Sequence, residues 1–331
     1  YKKISADPAA LDRLLVDVFL ESQRKPPHEI WLDLDATDDP LHGHQEGRFF
    51  HGYYRCYCYL PLYIFCGEHL LCARLRPSNQ DASAGSVDEL ERIVSQIRAR
   101  WPKTRIVIRG DAGFCREAIM AWCEANNVHY VLGLARNKRL QRALGEAMEE
   151  ARTAHERSGK PARRFRDFRY RTRKSWSRER RVIGKAEYLP GKANPRFVAT
   201  NLTIREASAK RLYEHLYCAR GEMENRIKEQ QLGLFADRTS TTTLRANQLR
   251  LYFSSFAYVL LHGLRRLGLA GTEHAKAQST TIRVKLLKIG ARIRITVRKV
   301  WLAFSEAFPY AKDIAQILAN LQRYPAWSPP G

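Results

Sequence analysis

The stretch Ile30-Trp31-Leu32-Asp33-Leu34-Asp35 carries the strongest fold signal in this 331-residue chain. Its apolar and polar residues alternate, which predicts a β-strand. Asp33 and Asp35 are two residues apart and therefore share one face of that strand. Because burying an unpartnered carboxylate is costly, either cations compensate the pair or it lies at an open strand end. A capping or turn role is the alternative, and the following Asp38-Asp39-Pro40 favours it.

A second acid lies further along the chain, in Arg109-Gly110-Asp111-Ala112-Gly113-Phe114. An apolar strand at residues 105–108 precedes it, and we expect a helix at residues 114–126. Ligands of α/β sheets bind beyond the carboxyl ends of strands, where glycines permit sharp turns and close approach. Asp111 is therefore a candidate site residue; the alternative is an N-cap of the following helix.

The order of predicted elements indicates an α/β fold. After an N-terminal helix, the strand at 30–35 is followed by a hairpin of residues 53–65 and 69–75, which predicts an antiparallel meander. Strands at 105–108 and 128–134 then alternate with helices at 86–100 and 114–126, as in parallel additions to a sheet. This order matches the ribonuclease-H-like fold, a mixed sheet with flanking helices.

The charge of the chain predicts a polyanionic partner. Lys and Arg total 57 against 34 Asp and Glu, a formal net charge of +23. Nucleic acid is the first candidate and an anionic membrane surface the second; a basic surface kept for solubility is the remaining alternative. No apolar stretch is long enough to span a bilayer. The seven cysteines are scattered and form no zinc-ligand pattern, which predicts reduced thiols and a cytoplasmic location.

Residues 151–200 hold a net +12 of this charge. Regularly spaced aromatic and β-branched residues predict a β-rich basic insertion, and a solvated loop is the alternative. Its arginines are candidate phosphate contacts: Arg163, Arg164, Arg166, Arg169, Arg171 and Arg173. Trp176 either stacks on a DNA base or fills the small core of the insertion. The alternation in residues 292–298 predicts either a strand with one basic face or a helix.

A third acid belongs to a predicted helix at residues 208–231. Tyr217, Arg220, Glu224 and Lys228 are spaced to share one helical face. Taken alone, this pattern is explained by ordinary ion pairing along a helix. Taken together, Asp35, Asp111 and Glu224 could converge on two divalent metal ions, the arrangement used for phosphoryl transfer from DNA.

At these residues the chain resembles bacterial insertion-sequence transposases of the DDE type, in the branch with a Tyr-Arg-Glu signature. The resemblance rests on three blocks, residues 32–47, residues 75–79 with 109–114, and residues 220–239. It implies a ribonuclease-H-like core with a β-rich insertion before the Glu-bearing helix. It also implies that Asp35, Asp111 and Glu224 hold the metals, with Asp33 as the fallback for the first acid. The lysine of the family signature falls on Gln231, so Lys228 is only a possible substitute.

The resemblance implies an enzyme that cuts double-stranded DNA at its element's ends and joins them to target DNA. Two Mg²⁺ ions, replaceable by Mn²⁺, would be held with Asp35 bridging both, and Tyr217 and Arg220 would position phosphates. We expect a homodimer in a bacterial cytoplasm, associated with the nucleoid when bound to DNA, and no membrane partner. The alternatives are a catalytically inactive, transposase-derived DNA-binding protein and a basic RNA-binding protein.

The predicted domain organisation has five segments. The chain begins at Tyr1 without a Met, so we expect that further N-terminal sequence precedes it. The segments are an N-terminal helical fragment (1–29), the first part of the core (30–137), the basic insertion (138–206), the Glu-bearing helix (207–240) and a helical, basic C-terminal region (241–331).

Overall fold

The computed structural model describes residue 4 and residues 6–324. Within them, the chain forms two compact units. The first runs to Asn225 and includes Ser240–Gln248, and the second comprises Arg226–Thr239 and residues 249–324. The unit boundary therefore falls inside the helix that carries Glu224.

The elements of the first 134 residues follow the predicted order. They are α1 (Pro8–Glu21), β1 (Glu29–Ala36), β2 (Asp39–Pro40), β3 (Phe49–His51), β4 (Cys56–Tyr59), β5 (Leu62–Cys66), β6 (His69–Arg74), α2 (Ser86–Arg100), β7 (Arg105–Gly110), α3 (Glu117–Ala125) and β8 (His129–Leu134). The stretch predicted as one strand at 53–65 is two strands, because β4 pairs with β2 and β3 in a small separate sheet while β5 joins the large one.

Strand order confirms the ribonuclease-H-like prediction. β1 pairs antiparallel with β5, β5 pairs antiparallel with β6, and β1 pairs parallel with β7, which pairs parallel with β8. The β5–β6 hairpin turns at Gly67, whose φ of 56° favours glycine. The parallel strands need longer crossovers, and α2 and α3 provide them.

Residues 138–200 extend this same sheet. Their elements are α4 (Lys138–Ala143), α5 (Gly145–Ser158), β9 (Ala162–Tyr170), β10 (Arg180–Leu189), β11 (Lys192–Ala193) and β12 (Arg196–Thr200). β12 pairs antiparallel with β8, β10 pairs with β12, and β9 pairs with β10. The segment predicted as a β-rich insertion is thus rich in strands, but its strands are hydrogen-bonded to the core sheet.

Apolar residues cover both faces of the large sheet. One face packs against α1, α2, α3 and α5 and includes Leu32, Ile108 and Leu132. The other face packs Val107, Val131 and Val198 against Leu212 and Tyr213 of a following helical segment. That segment comprises α6 (Ala209–Arg211), the helical turns Leu212–Tyr217 and Cys218–Arg220, α7 (Gly221–Lys228) and the turn Glu229–Gly233. The Glu-bearing helix is therefore held against the strands that carry the two aspartates.

The remaining elements are α8 (Leu244–Gly263), the turn Leu264–Gly268, α9 (Ser279–Ile282), the turn Arg283–Leu287, β13 (Ala291–Ile295), β14 (Val300–Phe304) and α10 (Ala311–Gln322). Leu261, Leu269 and Ile317 belong to a core within the second unit. For the basic stretch at 292–298, strand and helix were both open; residues 292–295 belong to strand β13, and residues 296–298 lie in the turn that follows it. In the described part of the chain, no helix has the length and apolarity to cross a bilayer. All seven cysteines are free thiols.

Candidate active site

Two of the three predicted acids lie at adjacent strand ends. In the parallel pairing of β1 with β7, Leu34 is the partner of Gly110, so Asp35 and Asp111 are each the next residue of their strand's path. Parallel neighbours end at the same edge of a sheet, which brings these two side chains together. Asp35 is partly buried, and the backbone amide of Ala36 donates to its Oδ1 at 3.0 Å.

The loop after β7 is shaped around Asp111. The amide of Gly113 donates to Asp111 Oδ1 at 2.8 Å, and a side chain at position 113 would lie 3.0 Å from that same oxygen. Helix α3 starts only at Glu117, with Arg116 at its N-cap, so both the predicted helix start at Phe114 and the N-cap alternative for Asp111 are wrong. The carboxylate closes a tight turn and leaves its second oxygen available to the site.

The Glu-bearing helix adds three side chains to this edge. Arg220 lies between two acids: its Nη2 donates to Glu224 Oε1 at 3.0 Å, and its Nη1 is 3.7 Å from Asp35 Oδ1. That Nη1 is buried and has no hydrogen-bond acceptor. One guanidinium therefore balances the charge of two candidate metal ligands without fully satisfying its own donors.

Tyr217 reaches the same place because Gly133 has no side chain. A Cβ at position 133 would lie 2.5 Å from the Tyr217 hydroxyl and 3.0 Å from the backbone nitrogen of Ala112. The tyrosine hydroxyl thus passes over β8 beside the Asp111 loop. Sequence reasoning did not single out Gly133; a glycine within an apolar strand, which often marks a close approach, was the available signal.

The electrostatics of the site show that these groups interact. Burial raises the pKa of Asp35 to about 6; Arg220 opposes the rise, and the negative charges of Asp111 and Glu224 add to it. Burial also raises the pKa of the Tyr217 hydroxyl, with Asp111 adding to the rise and Arg220 opposing it. Carboxylates that disfavour one another's charge are the groups that a cation would stabilise.

Asp33, the fallback for the first acid, has a different environment. It is buried, and both its oxygens are bound by Arg109, at 2.5 Å from Nε and 2.8 Å from Nη2. Arg109 is its direct neighbour in the parallel register of β1 and β7, and it also donates from Nη1 to the carbonyl of Leu216 at 2.6 Å. Burial nonetheless raises the pKa of Asp33, against the effect of Arg109. This ion pair ties both aspartate-bearing strands to the helix just before Tyr217.

Three of the predicted DNA-binding arginines are paired with acids of the protein. Arg163 contacts Glu187 and Glu214, while Arg164 and Arg166 contact glutamates of α5. Arg169, Arg171 and Arg173 are exposed and form no ion pair with any described residue. β9 is four strands from β7, so these arginines lie about 20 Å along the sheet from Asp111.

Trp176 is buried, which argues against the base-stacking alternative and for the core alternative. Only 5% of it is accessible, and its ring meets Tyr170 edge-on at a centroid distance of 5.7 Å. The guanidinium of Arg180 lies 5.6 Å from the indole. Of the two alternatives left open by the sequence, the structure therefore favours the core residue.

The second unit contains two further groups of interest. Lys228 is exposed at the end of α7 and belongs to the second unit. Among the described residues, three potential metal ligands have donor atoms within 4.8 Å of one another, and all three are in the second unit: Glu273, His274 and Asp313. His274 Nδ1 is 2.7 Å from Asp313 Oδ2, and this contact joins the loop before α9 to α10.

A comparison with protein families agrees with the sequence resemblance. A family model described as "Transposase DDE domain group 1" matches residues 2–326. A similar solved structure is the cryo-EM structure of a piggyBac transposase synaptic complex with hairpin DNA, at 12% identity and a TM-score of 0.42; the match covers 76% of this chain and 51% of that one. The chain thus spans about half the length of that protein. No curated protein matches the chain significantly.

Proposed function

The chain belongs to the transposase DDE domain group 1 family, and on that premise we propose that it cuts DNA at the ends of an insertion sequence and joins those ends to target DNA. The observation that carries the proposal is the convergence of Asp35 and Asp111 at adjacent strand ends with Glu224, joined to Asp35 through Arg220. The substrate is double-stranded DNA, and a homodimer would pair the two ends of an element.

Asp35, Asp111 and Glu224 would hold two Mg²⁺ ions. All three offer carboxylate oxygens, which are the ligands that Mg²⁺ prefers. The raised pKa of Asp35 and the unsatisfied Nη1 of Arg220 both fit a site that is short of positive charge and hydrogen-bond acceptors. When bound, such ions activate the attacking oxygen and neutralise charge on the phosphate.

The neighbouring side chains would orient the DNA. Arg220 presents a planar guanidinium, which suits bidentate contact with a phosphate. Its Nη2 donates to Glu224 Oε1, so the guanidinium would lie beside a metal ligand and close to the phosphate that the metals bind. The Tyr217 hydroxyl beside Asp111 would donate to a neighbouring phosphate oxygen. Water, and later a 3′-hydroxyl, would attack phosphorus in line without a covalent enzyme intermediate.

A nicking and strand-transfer assay on element-end DNA tests this proposal. Asp111→Asn should reduce both reactions by more than about 100-fold, because substitutions even outside the ligand shell of a metal cost 10–100-fold. End binding should survive, since phosphate contacts come from basic residues. Asp88→Asn, an exposed carboxylate in the first turn of α2, is the matched control. Cleavage by Asp111→Asn at the wild-type rate would remove Asp111 from the site.

A further inference from the structure

The hairpin of β13 and β14 has two chemically different faces. Its register pairs Ile293 with Leu302 and Ile295 with Val300 on one face, and Arg292 with Ala303 and Arg294 with Trp301 on the other. Every residue of the hairpin strands is exposed except Phe304, which is partly exposed. The hairpin, defined as residues 291–304, thus presents an apolar face and a basic face to its surroundings.

The cations of the basic face have no acidic partner in the described part of the chain. Arg292 and Arg294 extend from β13, and Arg298 and Lys299 follow in the turn. The sequence from His274 to Ser305 contains no Asp or Glu. Arg294 and Lys299 each lie 5.7 Å from the Trp301 ring, which holds them at the surface without neutralising them. This differs from the predicted phosphate contacts of residues 163–173, where glutamates pair with three of the six arginines.

We propose that the basic face of hairpin 291–304 is a duplex-DNA contact surface, in addition to the arginines predicted at residues 163–173. The inference rests on the proposed function, because it takes DNA as the partner. A two-stranded β-ribbon is narrow enough to enter the major groove or to follow the backbone. An antiparallel strand advances about 3.4 Å per residue, and one DNA strand presents a phosphate about every 3.4 Å along the axis. Arg292 and Arg294 are two residues apart on β13 and so about 7 Å apart, which is far enough for each to contact a different phosphate.

A second copy of the chain, docked on the apolar face, is the competing occupant. Ile293, Ile295 and Val300 are 60%, 76% and 63% exposed. However, two five-residue strands offer a face on the order of 200 Å², whereas a stable interface needs roughly 800 Å² per partner. Packing two such hairpins together would also bring like charges close, and DNA would neutralise them. The charge pattern therefore favours DNA.

Basic and apolar residues alternate along β13, so matched variants of its two faces can be compared in the whole chain. Arg292→Thr/Arg294→Thr changes the basic face, Ile293→Thr/Ile295→Thr changes the apolar face of the same strand, and Arg292→Lys/Arg294→Lys keeps the charge. Binding of a fluorescently labelled duplex is measured at several salt concentrations. The first variant should lower the slope of log K against log salt by about 1.8, at about 0.9 for each lost phosphate contact. The isoleucine and lysine variants should keep the wild-type slope.

The same measurements contain the results that would overturn the inference. An unchanged slope in the arginine-to-threonine variant rejects the hairpin as a DNA contact while leaving the proposed function standing. Equal losses in all three variants reject it too, because the conformation of the hairpin and not its charge would then matter. If the isoleucine variant alone differs from the wild type, and the difference is a lower molecular mass by light scattering, the occupant is a second copy of the chain. Failure of the wild-type protein to bind duplex DNA rejects both this inference and the proposed function.

Discussion

Asp33 and Asp35 show how two carboxylates on one strand face acquire different roles. Asp33 is bound at both oxygens by Arg109, whereas Asp35 accepts from the backbone amide of Ala36 and lies 3.7 Å from Nη1 of Arg220. The alternation of the sequence could not separate them, because both lie on the same face. The neighbouring strand β7 makes the difference. Its residue opposite Asp33 is Arg109, whereas its pairing with β1 ends at Leu34, one residue before Asp35.

Opposite effects on stability should therefore follow from the two asparagine substitutions in metal-free protein. At pH 7, Asp35→Asn should raise the free energy of unfolding by about 1–3 kcal/mol, because it removes a charge whose pKa is raised from 3.8 to about 6 on folding. Asp33→Asn should lower it by about 3–5 kcal/mol, because Arg109 would remain buried without its charge partner. Urea unfolding with a chelator present measures both.

The pH dependence provides the control for Asp35. A carboxyl with a raised pKa binds its proton more tightly in the folded state, so its cost to stability is absent below about pH 4 and grows until the pH passes about 6. The gain from Asp35→Asn should shrink accordingly as the pH falls from 6 to 4. A loss of stability in Asp35→Asn at pH 7 would show that this carboxylate, and not Asp33, is the structural member of the pair.

At the scale of elements, local sequence patterns predicted most helix and strand boundaries. They did not predict which distant strands pair. The amphipathic period gives α2 at Ser86–Arg100 as observed. The turn held by Asp111 delays α3 to Glu117, a side-chain effect that periodicity does not register. The pairing of β12 with β8 joins the predicted insertion to the core sheet, and nothing local to either strand specifies that contact. Trp176 is likewise buried in a core whose other members include residues from distant parts of the chain.

Strand β9 and the residues after it contain both arginines that are paired with glutamates and arginines that are not. Their contributions to DNA binding can therefore be compared. Changing Arg169, Arg171 and Arg173 to Gln should lower the salt slope of duplex binding by up to about 2.7, at about 0.9 per phosphate contact. The matched triple change of Arg163, Arg164 and Arg166 should alter the slope less, because glutamates already compete for these side chains. A larger effect from the paired set would show that DNA displaces the glutamates.

For the whole molecule, chemistry and DNA binding depend on different groups. The candidate ligands are three carboxylates at one sheet edge, whereas more than half of the net charge of +23 lies in residues 151–200. Sequence alone could predict both properties, because composition reports the charge and the three motif blocks report the acids. It could not predict that Arg220 lies between Asp35 and Glu224, since that depends on the packing of a distant helix on the sheet.

Metal substitution should separate these two properties in one experiment. Mg²⁺ or Mn²⁺ should support cleavage, while Ca²⁺ should support DNA binding with little cleavage, because Ca²⁺ takes more ligands in looser geometry. A chelator should stop cleavage and leave most binding intact. Nicking on element-end DNA and fluorescence anisotropy on the same duplex measure the two properties in parallel. Full cleavage in the presence of the chelator would contradict a two-metal site.

The pairing of β8 with β12 also determines whether the segment 138–206 could be removed from the chain. Excising residues 138–206 would leave β8 as the outer strand. Those amides and carbonyls of Val131–Leu134 that face β12 would be unpaired, and the bond from Thr200 Oγ1 to the Tyr130 carbonyl would be lost. An uncovered apolar edge is a template on which other chains add strands. We therefore expect the basic segment also to protect the protein from aggregation, and a shortened protein to accumulate in insoluble form.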